Sequence, residues 1–293
     1  MPRAAERWVV LEGDCSALLP EAVKRAGGRF DLVYVDPPFN AGGSRGARVG
    51  RGERATGRTA YVDRWGGLEG FLAMLEPRLA ALRDVLAESG TLFVHLDWRA
   101  VHDTKVLLDR LFGRAAFRGE IVWVPGNGAR GTKGPSVTHQ TILVYASGKH
   151  PIWNTKDPAL REPFAETSRS MHFQNVDESG RHYRERVVSG KKYRYYEDEG
   201  RKLGSVWADC PAMNANTPLQ RETTGYPTQK PLKLLDRIVR AASTPTSRVL
   251  DPMCGSGTTL VAAKAAGRAA VGIDLSPLAC EIARKRLEQT KAG

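Results

Sequence analysis

A short motif of an acid, two prolines and an aromatic residue follows an apolar run near the start of the chain. Residues 30–35 read FDLVYV, which predicts a buried strand, and Asp36, Pro37, Pro38 and Phe39 come directly after it. Proline does not continue a central strand, so the chain turns at the motif. A purely structural turn is the alternative. It explains the prolines, but not an acid at the strand end and an aromatic residue after them.

These four residues suit methylation of an exocyclic amine on a nucleobase. The nitrogen of such an amine has its lone pair delocalised into the ring, and it must become more tetrahedral to attack a methyl group. A carboxylate at Asp36 and the carbonyl of Pro37 would accept its two N–H hydrogen bonds, and proline adds no competing donor. Stacking of the base on Phe39 contributes about 1–3 kcal/mol. We therefore take Asp36, Pro37, Pro38 and Phe39 as the candidate catalytic residues.

A glycine turn late in the sequence suits a cofactor that carries an adenosine ribose. The turn, DPMCGSGTT over residues 251–259, follows a predicted strand and opens a helix whose first N–H groups are free. Gly255 and Gly257 remove side chains where the backbone approaches a ligand. Asp274 lies 19 positions after Gly255, close to the spacing of about 20 at which a carboxylate meets ribose hydroxyls. Packing alone is the alternative explanation.

The details of this turn argue against a dinucleotide. The third glycine of the dinucleotide pattern would fall at Leu260, and Asp251 precedes the turn. A carboxylate at Asp251 is poorly placed beside a pyrophosphate and suits a positively charged group, such as the amino group of S-adenosylmethionine. An NAD-linked oxidoreductase is therefore disfavoured.

Strands alternate with helices around both motifs, which predicts a mostly parallel sheet with helices on both faces. Predicted strands cover residues 8–11, 30–35, 91–96, 120–124, 141–145, 248–250 and 270–273. Predicted helices cover residues 16–26, 72–86, 99–111 and 231–242, another runs from the end of the glycine turn at 259 to 267, and a final one begins at 276. Only one strand follows the glycine turn, so we expect the strand at 8–12 to complete that half of a circularly permuted domain. Asp14 and Cys15 would then lie near the ligand's base.

Composition bounds the class of protein. The 293 residues include 44 Lys and Arg against 32 Asp and Glu, a net charge of +12, which points to a polyanionic partner such as nucleic acid. Four scattered cysteines without a C-x-x-C pair argue against a zinc ribbon or a disulfide framework and suit a reducing cytosol. No metal site is predicted. No apolar stretch approaches about 18 residues, so we expect no membrane span.

The chain resembles the β-class exocyclic-amine DNA methyltransferases, in which the catalytic motif precedes the cofactor motif. The resemblance covers GDCSALLP (13–20), FDLVYVDPPFN (30–40), GTLFVHLDW (90–98), TQKPLKLLDRIV (228–239), DPMCGSGTT (251–259) and VGIDLSP (271–277). It implies a Rossmann-like α/β fold, S-adenosylmethionine as the cofactor, and a target-recognition insertion between two halves. The halves would be 1–146, catalytic, and 227–293, cofactor-binding, with the insertion at 147–226. The implied cofactor-binding residues are Asp14, Cys15, Asp36, Thr228, Lys230, Pro231, Asp251, Cys254, Gly255, Ser256, Gly257, Thr258, Thr259, Asp274 and Leu275.

Two basic segments lie outside the predicted sheet. Residues 40–67 form a flexible loop rich in Gly and Arg, and residues 181–202 interleave Lys and Arg with Tyr. These compositions suit phosphate contacts together with stacking; a solvated loop and an ordinary basic hairpin are the alternatives. The candidate DNA-binding residues are Arg45, Arg48, Arg51, Arg54 and Arg58 in the first segment, and Arg184, Arg186, Lys191, Lys192 and Arg194 in the second.

The favoured reading is methyl transfer to adenine N6 of a base flipped out of duplex DNA. In the family that the chain resembles, adenine N6 enzymes usually carry Asp before the two prolines and cytosine N4 enzymes more often carry Ser, so Asp36 favours adenine. Cytosine N4 methylation, methylation of a protein glutamine or RNA amine, and a DNA-binding module with a non-catalytic ligand site are the alternatives. The resemblance implies a prokaryotic, cytoplasmic, nucleoid-associated protein. It is compatible with a homodimer and with a cognate restriction endonuclease.

Overall fold

The computed structural model describes residues 6–38, 64–126, 128, 134–213 and 222–293, together with the backbone of two strands at 44–49 and 56–62. The strands are β1 (Trp8–Glu12), β2 (Phe30–Val35), β3 (Ser44–Val49), β4 (Thr56–Val62), β5 (Leu86–Leu96), β6 (Phe117–Trp123), β7 (Gln140–Ala146), β8 (Arg161–Glu162), β9 (Asn175–Val176), β10 (His182–Val188), β11 (Lys191–Tyr196), β12 (Arg201–Lys202), β13 (Val206–Trp207), β14 (Arg248–Asp251) and β15 (Ala269–Asp274). The helices are α1 (Cys15–Ala26), α2 (Leu68–Val85), α3 (Val101–Phe112), α4 (Glu166–His172), α5 (Leu232–Ala241), α6 (Thr258–Ala265) and α7 (Pro277–Gln289).

Eight strands form one sheet in the order β1-β15-β14-β2-β5-β7-β6-β13. The first five are parallel, β7 is antiparallel to both its neighbours, and β13 runs parallel to β6. Helices α1, α2 and α3 contact one another in sequence, and α5, α6 and α7 form a second group. The mostly parallel α/β architecture predicted from the sequence is confirmed.

The first strand completes the C-terminal half of the sheet, as the sequence predicts. Trp8 to Glu12 pair in parallel with Ala270 to Asp274. The Trp8 indole N–H also donates to the carbonyl of Arg268 at 2.8 Å. β14 then lies between β15 and β2, so strands from both ends of the sequence are interleaved in one sheet. This is the permuted arrangement inferred from the late position of the glycine turn.

Local sequence explains where the helices next to the sheet begin and end. The side chain of Asp14 accepts from the Ser16 N–H and caps α1, which ends at Gly27 in the left-handed region. Ser276 caps α7 and Pro277 occupies its first turn. β2 is buried at five of its six positions, as expected of a parallel strand covered on both faces.

Two segments that the sequence predicts to be irregular contain strands in the structure. The loop predicted at 40–67 includes β3 and β4, which pair antiparallel from Ser44–Val62 to Val49–Thr56. Residues 147–226 contain β8 to β13 and α4. Most of these strands are short, and the side chains of β10 and β11 are largely exposed, so they have no alternation of buried and exposed positions that a sequence pattern would show.

The chain divides into two compact units. One contains residues 1–153 and 205–293, and the other contains Asn154–Gly204. The smaller unit lies inside the segment 147–226 and is shorter than it at both ends. Val206 and Trp207, for example, pair with Val122 and Trp123 of the large sheet. No helix within the described part of the chain is long and apolar enough to cross a membrane.

Candidate active site

An aspartate stands at the carboxyl end of each of four consecutive parallel strands. Asp14 follows β1, Asp274 ends β15, Asp251 ends β14 and Asp36 follows β2. All four line one cavity at this edge of the sheet, where open α/β folds bind their ligands. Of the predicted catalytic and cofactor-binding residues, the cavity wall contains Asp14, Cys15, Asp36, Pro37, Pro38, Thr228, Lys230, Asp251, Cys254, Gly255, Ser256, Thr258, Thr259, Asp274 and Leu275.

Three predicted residues are not in this wall. Pro231 begins α5. Gly257 has φ of 75° and lies against α7, where an added Cβ would come 2.7 Å from the Cβ of Ala283. Phe39 lies outside the described residues.

Asp36 and Lys230 form the central ion pair of the cavity, although 194 positions separate them in the chain. The Lys230 ammonium donates to Oδ2 of Asp36, and their side chains are only 8% and 19% exposed. The other carboxylate oxygen, Oδ1, is buried and has no hydrogen-bond partner among the described residues. Burial raises the pKa of Asp36, and the attraction of Lys230 only partly offsets this. Lys230 therefore orients the Asp36 carboxylate, and Oδ1 of that carboxylate remains available as an acceptor.

Asp251 and Asp274 hold the glycine turn and add negative charge. Oδ1 of Asp251 accepts from the Met253 N–H at 3.2 Å, and Oδ2 of Asp274 accepts from the Gly255 N–H at 2.7 Å. Burial raises the pKa of Asp251 to about 7, and the charges of Asp36 and Asp274 add to the rise. Burial also raises the pKa of Asp274. Such a group of buried carboxylates is stabilised by a cationic ligand.

A closed loop presents Lys230 to the cavity. The Gln229 side chain accepts from the N–H and hydroxyl of Thr224, at 3.0 and 2.7 Å, and donates to the Glu222 carbonyl at 2.8 Å. Thr228, just before it, has φ of 58°, a conformation that is costly for a β-branched residue. The network around Gln229 holds this strained turn at the cavity wall.

Sequence reasoning missed several residues of the cavity, including Tyr34, Trp65, Met74, Arg78, Tyr226 and Gln229. Arg78 reaches from α2 and donates to Oδ2 of Asp14 at 2.5 Å. Its partner is 64 positions away, so no local pattern identifies it. Gln229 lies inside the recognised TQKP sequence, which was a usable signal. Tyr226 covers the glycine turn, since a Cβ on Gly255 would lie 3.3 Å from its ring.

Beneath the cavity, a buried polar pair connects two strands. The Tyr34 hydroxyl lies 2.7 Å from Nδ1 of His95, and the imidazole contacts Trp123 edge to face. Burial lowers the pKa of His95 well below its ordinary value, so the ring is neutral. His95 is fully buried in the core, which agrees with a structural role.

Eight of the ten candidate DNA-binding residues lie on two antiparallel strand pairs. Arg45, Arg48 and Arg58 belong to β3 and β4, whose backbone alone is described, while Arg51 and Arg54 lie outside the described residues. The other five, Arg184, Arg186, Lys191, Lys192 and Arg194, belong to β10 and β11 in the smaller unit.

The charge of the cavity suits S-adenosylmethionine, which carries a positive charge. Gly255 and Gly257 leave the turn without side chains, and a Cβ at either position would approach Tyr226 or Ala283 closely. The buried Asp251 and Asp274 carboxylates suit the ammonium group and the ribose hydroxyls of this cofactor. The fold and the site thus define an α/β protein with a cavity of buried carboxylates, suited to a cationic ligand, at the carboxyl ends of its parallel strands.

Comparison with known families places the chain within this class. The DNA methylase family model matches residues 30–285. The chain therefore belongs to this family of exocyclic-amine DNA methyltransferases, whose cofactor is S-adenosylmethionine, as the sequence predicts.

Three curated relatives cover most of the chain. The Type II methyltransferase M.EcaI of Enterobacter cloacae is 28% identical, over 89% of this chain and 65% of its own length. The Type II methyltransferase M1.MboII of Moraxella bovis is 31% identical over 84% of each protein. The DNA adenine methyltransferase YhdJ of Escherichia coli (strain K12) is 25% identical, over 97% of this chain and 83% of its own length.

Two solved structures of similar fold cover nearly the whole chain. The M1.HpyAVI–SAM complex has a TM-score of 0.54 and 16% identity, covering 96% of this chain and 99% of that one. The cytosine-N4-specific PvuII DNA methyltransferase has a TM-score of 0.58 and 13% identity, covering 97% and 87%. At these identities the likeness shows the shared fold alone.

Proposed function

We propose that this protein methylates adenine N6 in duplex DNA, with S-adenosylmethionine as the methyl donor. The observation that carries the proposal is the state of Asp36. Its Oδ2 is held by Lys230, whereas its buried Oδ1 has no partner among the described residues. A buried acceptor without a donor is costly, and the N–H of an exocyclic amine would satisfy it.

Different residues of the cavity would bind the methyl donor and the target base. When bound, S-adenosylmethionine supplies a methyl group on a positively charged sulfur. Asp251 and Asp274 would hold the ammonium group and the ribose. Asp36 and the Pro37 carbonyl would accept the two amine N–H groups, and their placement would direct the nitrogen lone pair toward the methyl group. As the N–C bond forms, the S–C bond would break, the neutral thioether would leave, and the amine would lose one proton to solvent. Positioning and these hydrogen bonds provide the catalysis, and no covalent intermediate on the protein is required.

Two further parts of the proposal concern the substrate. A base inside a duplex cannot reach a cavity of this kind, so we propose that the target base is flipped out of the stack.

We propose adenine as the base because an acid, Asp36, leads the two prolines. The relative YhdJ, named as a DNA adenine methyltransferase, supports this choice. The cytosine-N4-specific PvuII enzyme has the same fold, so fold does not select the base.

We also propose a cellular setting from the relatives. M.EcaI and M1.MboII are named as Type II methyltransferases, which supports a cognate restriction endonuclease and a cytoplasmic location. A nucleoid-associated location would follow from the proposed binding to DNA. A homodimer is a further proposal, which sedimentation of the purified protein tests directly.

Nucleoside mass spectrometry on unmethylated DNA, treated with the protein and S-adenosylmethionine, tests the function. We expect N6-methyladenine with the natural protein and none with Asp36→Asn, which keeps the shape of the side chain but loses the carboxylate. The matched control is Asp84→Asn, an exposed carboxylate on α2 that is 70% accessible. N4-methylcytosine would overturn the choice of base, and the absence of both products would overturn the proposed activity.

A further inference from the structure

The hairpin of β10 and β11 is a two-stranded ribbon with both faces exposed over most of its length. It turns at Ser189 and Gly190, whose φ values of 50° and 77° match the tight turn that suits the twist of paired strands. From Glu185 to Arg194, every side chain is exposed. Within the smaller unit, the far end of this ribbon is therefore available to a partner.

Cross-strand pairing sorts the side chains of the ribbon onto two faces, because directly opposed residues of an antiparallel pair lie on the same side. The first face, here called the paired face, carries Tyr183 with Tyr196, Glu185 with Arg194, and Val187 with Lys192. The second, here called the open face, carries Arg184 with Tyr195, Arg186 with Tyr193, and Val188 with Lys191.

The two faces differ in charge balance. On the paired face, Glu185 lies 3.3 Å from Arg194 and 3.4 Å from Lys192, so both cations have a carboxylate partner. The open face has three cations and no carboxylate at its paired positions. Among the described residues, neither Arg186 nor Lys191 has an ion pair.

Arg184 is the exception on the open face. Its guanidinium lies 5.2 Å from the ring of Phe164, 5.1 Å from Phe173 and 5.7 Å from Tyr195. This aromatic surround anchors the base of the ribbon within the smaller unit. Beyond it, Tyr193 is 46% exposed, between the cations Arg186 and Lys191.

We infer that the open face is the side of the ribbon that contacts duplex DNA, with Arg186 and Lys191 on phosphates and Tyr193 between them. The inference rests on the proposed function, since it takes DNA as the partner. A two-stranded ribbon fits the major groove, and cations without carboxylate partners are free to replace the counterions of phosphates. On the paired face, Glu185 would repel the same phosphates. Arg184, Lys192 and Arg194, predicted from composition as contacts, then become supporting residues.

The test measures binding of a fluorescent mixed-sequence duplex of about 30 base pairs to the full-length protein across a range of salt concentrations. We expect the double variant Arg186→Gln/Lys191→Gln to weaken binding about tenfold or more at moderate salt. It should also reduce the salt slope by about 2, close to 0.9 for each lost phosphate contact. The matched double variant Lys192→Gln/Arg194→Gln removes the same amount of charge from the same ribbon. We expect it to reduce the salt slope by less than a third of the reduction seen with Arg186→Gln/Lys191→Gln.

A single variant separates the two faces further. Glu185→Gln removes the acid of the paired face. We expect it to change the affinity less than twofold if that face points away from DNA, whereas clear tightening would overturn the inference. Equal losses in the two double variants, or a larger loss with Lys192 and Arg194 replaced, would also overturn it.

The readouts distinguish this inference from the proposed function. If the natural protein methylates DNA but the open-face variant binds as well as it does, the inference alone fails. If the natural protein neither binds duplex DNA nor methylates it, the proposed function fails as well. Circular dichroism confirms that each variant is folded, and Arg186→Lys should retain most of the affinity, because it keeps the charge.

Discussion

Three of the four aspartates that line the cavity lie on neighbouring strands and influence one another's ionisation. Asp36, Asp251 and Asp274 end neighbouring strands, and the charges of the first and third raise the pKa of the second. Burial is the larger cause, and together they bring Asp251 to about 7. A group with that pKa is partly protonated near neutrality, so its ionisation must accompany the binding of any cation that it holds.

The affinity for S-adenosylmethionine should therefore depend on pH. At about pH 6, Asp251 is mostly protonated in the free protein and must lose its proton to hold an ammonium group. At about pH 7.5 it is mostly ionised, while an α-amino group is still largely charged. We expect the affinity to rise about five- to tenfold between these values, as the fraction of ionised Asp251 rises. Isothermal titration calorimetry measures it.

Asp251→Asn provides the control for this pH dependence. It should bind the cofactor weakly and with a flat profile over the same range, because the titrating group is gone. A profile that keeps its slope in Asp251→Asn would assign the titration to another residue.

The sequence predicted which residues lie at the cavity where a short motif coincides with the end of a strand. Asp36, Asp251 and Asp274 follow apolar runs, and the parallel sheet brings such ends together, so all three line the cavity as expected. The contact of Lys230 with Asp36 was not predictable, because 194 positions separate them and only tertiary folding sets their distance. The same holds for Arg78 and Asp14.

At the scale of elements, Gly257 fixes how α6 approaches α7. Its φ of 75° is unfavourable for other residues, and an added Cβ would lie 2.7 Å from Ala283 Cβ and 3.1 Å from its Cα. A contact that short requires one helix to move. Because α6 begins directly after Gly257, such a movement displaces the glycine turn of the cofactor site.

We expect Gly257→Ala to destabilise the protein by about 2–4 kcal/mol, of which about 1 kcal/mol comes from the backbone conformation and the rest from overpacking. It should also weaken cofactor binding. Gly190→Ala is the matched control, since Gly190 has φ of 77° and nothing lies within 4 Å of its added Cβ. Urea unfolding and calorimetry compare the two variants, and equal losses of stability and of cofactor affinity would show that the contact with α7 is not limiting.

Elements with a continuous apolar run were predictable, and exposed hairpins were not. The strand predicted at 30–35 matches β2, because burial on both faces leaves an uninterrupted apolar segment. β10 and β11 read as an irregular basic stretch, since their side chains are largely exposed on both faces and charged residues occupy alternate and adjacent positions alike. Backbone pairing stabilises such a ribbon without a signal in the apolar pattern.

At the scale of the whole molecule, the cofactor site and the ribbon belong to different compact units. Every described residue of the cavity wall lies within residues 1–153 and 205–293, although these residues come from segments spread between Gly13 and Leu275. The permutation explains this spread: β1 completes the sheet beside β15, so positions far apart in sequence meet at one edge. The late glycine turn was enough to predict that pairing.

Replacement of residues 154–204 by a flexible Gly/Ser linker of about ten residues tests this separation. We expect the shortened protein to fold and to bind S-adenosylmethionine within about threefold of the full-length affinity, because the larger unit contains the whole cavity wall and its own core. Binding to duplex DNA should fall much further, since the ribbon is gone. Calorimetry measures the cofactor affinity, and fluorescence anisotropy measures the DNA affinity.

A shortened protein that no longer folds, or that folds without binding the cofactor, would show that the smaller unit helps to build the site. Unchanged DNA affinity would instead assign DNA binding to the larger unit, where the net charge of +12 would then have to act through other basic residues.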